Sequence, residues 1–168
     1  LTIIKHALDD NLILPLRQHP TYFAWLPDWY STYFLNKKSY AQCVLLLKGF
    51  LSTTELLKYS THISDGLEVR DRATSTNLHF DSEFQNAIWI GEVTVYKGAI
   101  ENSFLLINKA CQSAASKITI KSMENPNAFN GTNEGIMRDY SVHEHGKQLY
   151  SGGYGLWFTA SFVGLLKL

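Results

Sequence analysis

The sequence predicts an α+β fold in which a helical, aromatic-rich N-terminal segment packs on a mixed, mainly antiparallel β-sheet. Three observations lead to that class. Apolar residues recur at helical spacing up to about residue 63, short alternating or β-branched runs follow, and Pro, Gly and Asn separate the pieces. At 168 residues, 45% apolar and 18% charged, the chain has enough apolar surface to offset the entropy of ordering one core. A single domain over residues 1–168 is expected, with 1–63 mainly helical and 64–168 mainly β around one inserted helix near 100–115.

In the N-terminal third, Pro15, Pro20 and Pro27 divide the chain into short pieces, because each removes a backbone donor and restricts the residue before it. Tyr22, Phe23, Trp25, Trp29, Tyr30, Tyr33 and Phe34 crowd into the same region, and Trp25, Trp29 and Tyr33 share one helical face. Ser39 with Gln42, and Ser52 with Glu55, are capping-box pairs that announce two helices. The first spans about 40–51, with Tyr40, Val44, Leu47 and Leu51 inward, and the second ends before the turn at Asp65-Gly66.

Beyond it the period becomes two at Leu67, Val69, Leu78 and Phe80, and residues 87–96 form a β-branched and aromatic run that predicts a central strand. Trp89, Val93 and Val95 fall on one face of that strand and Ile88 and Ile90 on the other. Phe104, Ile107, Cys111 and Ala114 then predict a helix, and Ile118 with Ile120 a strand. The Asn-rich stretch 124–135 predicts a long loop, and residues 136–145 and 154–168 predict the arms of a C-terminal hairpin. Cys43 and Cys111, each inside a predicted helix, are expected to be small buried hydrophobes.

Charge excludes one class of partner. Fifteen basic and fifteen acidic residues cancel, and no run of like charges occurs, so nucleic acid is not expected. The longest apolar run, 156–166, is interrupted by Thr159, Ser161 and Gly164 and is far short of a membrane span, so no transmembrane segment is expected in this chain. A start at Leu1 and an abrupt apolar end at Leu168 read as a piece of a longer product.

Three functions compete. The first is a non-catalytic protein-interaction domain within a larger chain or assembly, recognising a protein partner through Tyr22, Trp25, Trp29 and Tyr33, since Trp and Tyr combine large contact area with a polar handle. The second is a metal-dependent enzyme. His143 and His145 share one strand face at i, i+2, His79 and Asp81 have the same spacing, and together they supply the two-histidine, one-carboxylate set of non-haem iron sites. That His-x-Asp pattern with a distant histidine loosely resembles the iron and 2-oxoglutarate oxygenases over three residues. It departs from them where Gly152 and Gly153 replace the basic residue past the distal histidine. The third is a β-rich pocket for an apolar small molecule or sugar, lined by Trp89, Tyr154 and Trp157.

Overall fold

The computed structural model describes residues 1–13, 36–68, 84–121, 134–144 and 148–166. These form a mixed α+β fold of six α-helices and four short strands. The helices are α1 (Thr2–Ile13), α2 (Asn36–Leu47), α3 (Thr53–Glu68), α4 (Phe84–Glu101), α5 (Phe104–Ser116) and α6 (Tyr154–Leu165). The strands β1 (Ile120–Lys121), β2 (Gly135–Met137), β3 (Val142–Glu144) and β4 (Gln148–Leu149) lie side by side in that order. β1 runs parallel to β2, whereas β2, β3 and β4 are antiparallel, with Gly135 opposite His143 and His143 opposite Leu149. The predicted aromatic segment 22–34, the alternating piece 69–80 and most of the predicted loop lie outside the described residues. Among the described residues no helix is long and apolar enough to cross a membrane.

The chain divides into two compact units, one of Leu1–His79 with Tyr96–Phe104, the other of Phe80–Val95 with Leu105–Leu168. In the first, Leu8, Tyr40, Ala41, Val44, Tyr59, Ile63 and Ile100 are buried. The predicted inward face of α2 holds at Tyr40 and Val44, while Leu47 is half-buried. At the start of α3 the Ser52–Glu55 box is closed in both directions. Glu55 Oε2 accepts from Ser52 N–H (2.7 Å) and Ser52 Oγ–H (2.8 Å), and Ser52 Oγ accepts from Glu55 N–H (3.3 Å). The predicted Ser39–Gln42 box caps nothing, because α2 begins at Asn36 and Ser39 is already inside it. Nor does Asp65-Gly66 end α3, which continues to Glu68 and takes Leu67 out of its predicted strand.

Two ion pairs join α1 to α3, Lys5–Glu55 and Lys58–Asp9, both at 2.7 Å, and Tyr59 Oη adds a hydrogen bond to Asp9 at 3.1 Å. The Lys5 ammonium, followed by the Ser52 amide and hydroxyl, holds the Glu55 carboxyl down to about 2. Asp9 is lowered too, chiefly by its bond from Lys58. A depressed carboxyl stabilises the folded state in full above its ordinary value and loses that contribution as pH falls through the folded value. For Glu55 the window therefore runs from about pH 4.5 down to about 2. Acid melts should show the wild-type melting temperature dropping more steeply across this window than that of Lys5→Met or Glu55→Gln; parallel curves would remove the linkage.

The last turns of α4 belong to the same unit. Lys97 is buried, donates to Ser60 Oγ at 3.0 Å and pairs with Glu101, which also accepts from the Ser60 hydroxyl. α4 ends at Asn102 in the left-handed region (φ 55°), where the Ser103 amide reaches back to the Gly98 carbonyl at 2.8 Å. Asn102 Oδ1 accepts from Lys48 Nζ at 2.6 Å.

The second unit centres on Phe84, Ile88, Val95, Ala110, Ala114, Phe158 and Leu165, with Ile107, Ile136, Val142 and Phe162 packed against them. Phe84 and Phe158 stack at 3.9 Å and 17°. A side chain at Gly91 would meet the Ala110 carbonyl at 3.6 Å, so small residues on α4 and α5 set how closely those helices pack.

This core corrects the prediction for residues 87–96, which are helical rather than a central strand. From Ala87 to Val95 every residue is buried, and a helix buried on all sides has the same unbroken apolar run as a strand covered on both faces. Packing overrides the β-branched preference. Residues 154–165 are helical too, so the C-terminal arm predicted as a strand is α6; there the exposed flank is itself apolar, with Leu156, Trp157 and Val163, which hides the helical period. The predicted helix near 100–115 is α5, whereas the single arm predicted over 136–145 is itself folded into the β2–β3 hairpin. The cysteines are also corrected. Cys43 and Cys111 are free and exposed, each one position off the buried stripes formed by Ala41 with Val44 and Ala110 with Ala114.

Candidate functional site

The polar chemistry of the second unit gathers around β3. β2 turns into β3 through Arg138, Asp139 and Tyr140, closed by Met137 N–H to the Ser141 carbonyl and Tyr140 N–H to the Met137 carbonyl, both at 2.9 Å. Such a three-residue loop needs a left-handed residue in its last place, and Tyr140 supplies it at φ 64°.

Asp139 Oδ1 accepts from the Ser141 amide (3.1 Å) and hydroxyl (2.6 Å), and these bonds hold its carboxyl below the usual range. The Ser141 oxygen lies 3.0 Å from His143 Nε2. A hydroxyl has one proton, and here the carboxylate takes it, so the bond from His143 is donated by Nε2–H. That assigns the Nε2–H tautomer to the neutral ring. His143 is nine-tenths buried, and its Nδ1 has no hydrogen-bond partner among the described residues.

The start of α6 is pinned to the same strand. Tyr150 N–H donates to the Val142 carbonyl at 2.8 Å, and the Tyr150 carbonyl accepts from Gly153 (3.1 Å) and Gly155 (2.9 Å). A Cβ at Gly155 would lie 3.2 Å from Val142 Cβ and 3.3 Å from the Tyr150 carbonyl, so glycine is what permits this approach. Tyr154, the first residue of α6, is half-buried, with Tyr150 edge-on at 5.0 Å and Trp89 tilted at 6.4 Å. Trp157, one turn on along the same flank, is 57% exposed.

Of the predicted sugar-pocket residues, the structure therefore joins Trp89 to Tyr154 and puts Trp157 nearby. They stand on helices rather than in a β-rich pocket, and Trp89, 8% exposed, backs Tyr154 instead of facing solvent. Of the predicted metal ligands, His79, Asp81 and His145 lie outside the described residues, and the Nε2 of His143 is engaged by Ser141. Among the described residues no three His, Cys, Asp or Glu side chains gather at metal-binding distance. Tyr22, Trp25, Trp29 and Tyr33 also lie outside the described residues.

Three buried glutamates in this unit escaped the sequence reading. Glu92 on α4, Glu134 before β2 and Glu144 on β3 are all nearly inaccessible. Glu92 Oε1 sits where a Cβ at Gly164 of α6 would be 3.3 Å away. Glu134 and Glu144 fall opposite each other, one step beyond the Gly135–His143 pair. Only Glu92, which interrupts the apolar run from Ile88 to Val95, carried a signal in the sequence.

No protein-family model and no curated protein matches the chain. Among solved structures, it is similar to the chondroitin AC lyase of Streptomyces coelicolor A3 in complex with chondroitin sulphate, at 15% identity and a TM-score of 0.70. The likeness covers 97% of this chain and 20% of the lyase, so the chain spans about a fifth of that enzyme's length and shares its fold there.

Proposed function

We propose that this chain is the part of a polysaccharide-cleaving enzyme that contacts an acidic sugar chain, with Tyr154 as a proton-transferring group. The observation that carries this is the cluster at the start of α6, where a half-buried phenol is flanked by Tyr150 and backed by Trp89, with exposed Trp157 one turn away. Rings of this kind cover the apolar faces of sugars while their polar tips bond the hydroxyls. The fold shared with a chondroitin-cleaving enzyme supports the same reading. In a lyase, a base removes the proton on the carbon beside a uronate carboxylate, the bond to the leaving oxygen breaks, and that oxygen takes up a proton. The product carries a carbon–carbon double bond conjugated to the carboxylate. Purified protein incubated with chondroitin sulphate should therefore generate new ultraviolet absorbance, with none from dextran. Absence of both cleavage and binding would overturn the proposal.

A second reading keeps the non-catalytic protein-interaction role, within a larger chain or assembly. It is favoured by the outer flank of α6, where Leu156, Trp157, Val163 and Leu166 are exposed on a helix whose other flank is in the core. On this reading Tyr22, Trp25, Trp29 and Tyr33 join the contact with the partner.

A further inference from the structure

We infer that the tip of the β2–β3 hairpin is a subsite for a negatively charged sugar, with Tyr140 as the stacking ring and Arg138 as the anion ligand. The inference rests on the polysaccharide reading above and adds a specificity element that the α6 cluster does not contain.

The first ground is a local conflict. The last position of a three-residue hairpin loop calls for a left-handed backbone, which Gly adopts freely and Asn tolerates, whereas an aromatic side chain there is strained. Tyr140 occupies it at φ 64° and gains little packing in return, because the residue is 77% exposed. Strain kept without burial points to a use for the ring outside the fold.

The second ground is the charge of the tip. Asp139 is bound by the Ser141 amide and hydroxyl, so its carboxylate is turned to the turn itself. Arg138 is exposed, and no hydrogen bond or ion pair engages its guanidinium among the described residues. The tip thus offers an exposed planar cation two residues from an exposed phenol ring. A guanidinium pairs bidentately with a carboxylate or sulfate, and a phenol face covers the C–H face of a pyranose, so the two together fit an anionic sugar better than a neutral one. The anion has two sources, a uronate carboxylate or a sulfate ester, and both present the same paired acceptor oxygens.

Binding of chondroitin sulphate, hyaluronan and dextran to the wild-type protein, Tyr140→Gly, Tyr140→Phe and Arg138→Gln, with thermal melts of each, tests this. Tyr140→Gly is expected to keep or raise the melting temperature while weakening chondroitin sulphate binding about tenfold, a pairing that a structural side chain does not give. Tyr140→Phe should bind as the wild type. Arg138→Gln should weaken binding and flatten its salt dependence. Equal losses on chondroitin sulphate and hyaluronan assign the contact to the carboxylate; a loss confined to chondroitin sulphate assigns it to the sulfate. If the wild type binds and cleaves chondroitin sulphate but Tyr140→Gly and Arg138→Gln bind equally well, the subsite is wrong and the polysaccharide reading stands. If the wild type neither binds nor cleaves, both fall. A Tyr140→Gly protein that melts lower and binds less would show the ring to be structural, which also overturns the subsite.

Discussion

Replacing Tyr154 with Phe is expected to lower the turnover of chondroitin sulphate by about 100-fold or more, the usual loss when a positioned proton-transfer group is removed. The substitution deletes one hydroxyl and keeps the ring, so the contacts with Tyr150 at 5.0 Å and Trp89 at 6.4 Å survive. If the rings bind the sugar as proposed, affinity should change far less than turnover, giving a fall in kcat with KM nearly constant. Ultraviolet assays at saturating polysaccharide measure the first quantity and titration calorimetry the binding. A Tyr154→Phe enzyme within about twofold of wild type would remove Tyr154 from the chemistry, since even a weak general acid or base contributes more than that.

Phe158→Ala is expected to destabilise the protein by about 4 kcal/mol, a value typical of a buried phenylalanine that leaves a cavity behind. Phe158 is 5% exposed, stacks on Phe84 at 3.9 Å and lies parallel to Phe162 at 6.0 Å. Truncation thus empties the contact between α4 and α6 rather than trimming its edge. Denaturant unfolding should show a lower midpoint with the slope unchanged, because the surface exposed on unfolding is nearly the same. A loss below about 1 kcal/mol would mean that α6 can repack around the gap, contrary to a core in which Leu165 and Val95 are also buried.

What the sequence disclosed depended on whether a signal was local. The Ser52–Glu55 box was legible because cap and partner are three residues apart and satisfy each other without help from the rest of the chain. α5 was legible because only its Ala110 and Ala114 stripe is buried, which leaves a clear helical period. α4 was not, because burial on all sides erases the period that separates helix from strand, and α6 was not, because its exposed Leu156, Trp157 and Val163 are as apolar as its buried flank. The site divides in the same way. Trp89 and Tyr154 drew attention as rings and do meet, whereas His143 drew attention for its spacing to His145 and instead bonds Ser141, two residues on its other side. Tyr140 gave no sign, since nothing in its side chain forecasts a left-handed backbone.

The division of α4 between the two units bears on how the chain is made. Phe84–Val95 serves one unit and Tyr96–Glu101 the other, so neither unit is a continuous stretch of polypeptide. A ribosome releasing the chain from its N-terminus cannot complete the Leu1–His79 unit until Phe104 has emerged, by which time the opening helix of the other unit is already present. Excision fails for the same reason. No single cut returns an intact half, and complementary fragments divided inside α4 would each carry a broken helix, whereas overlapping fragments that both keep Phe84–Glu101 would supply each unit with its share.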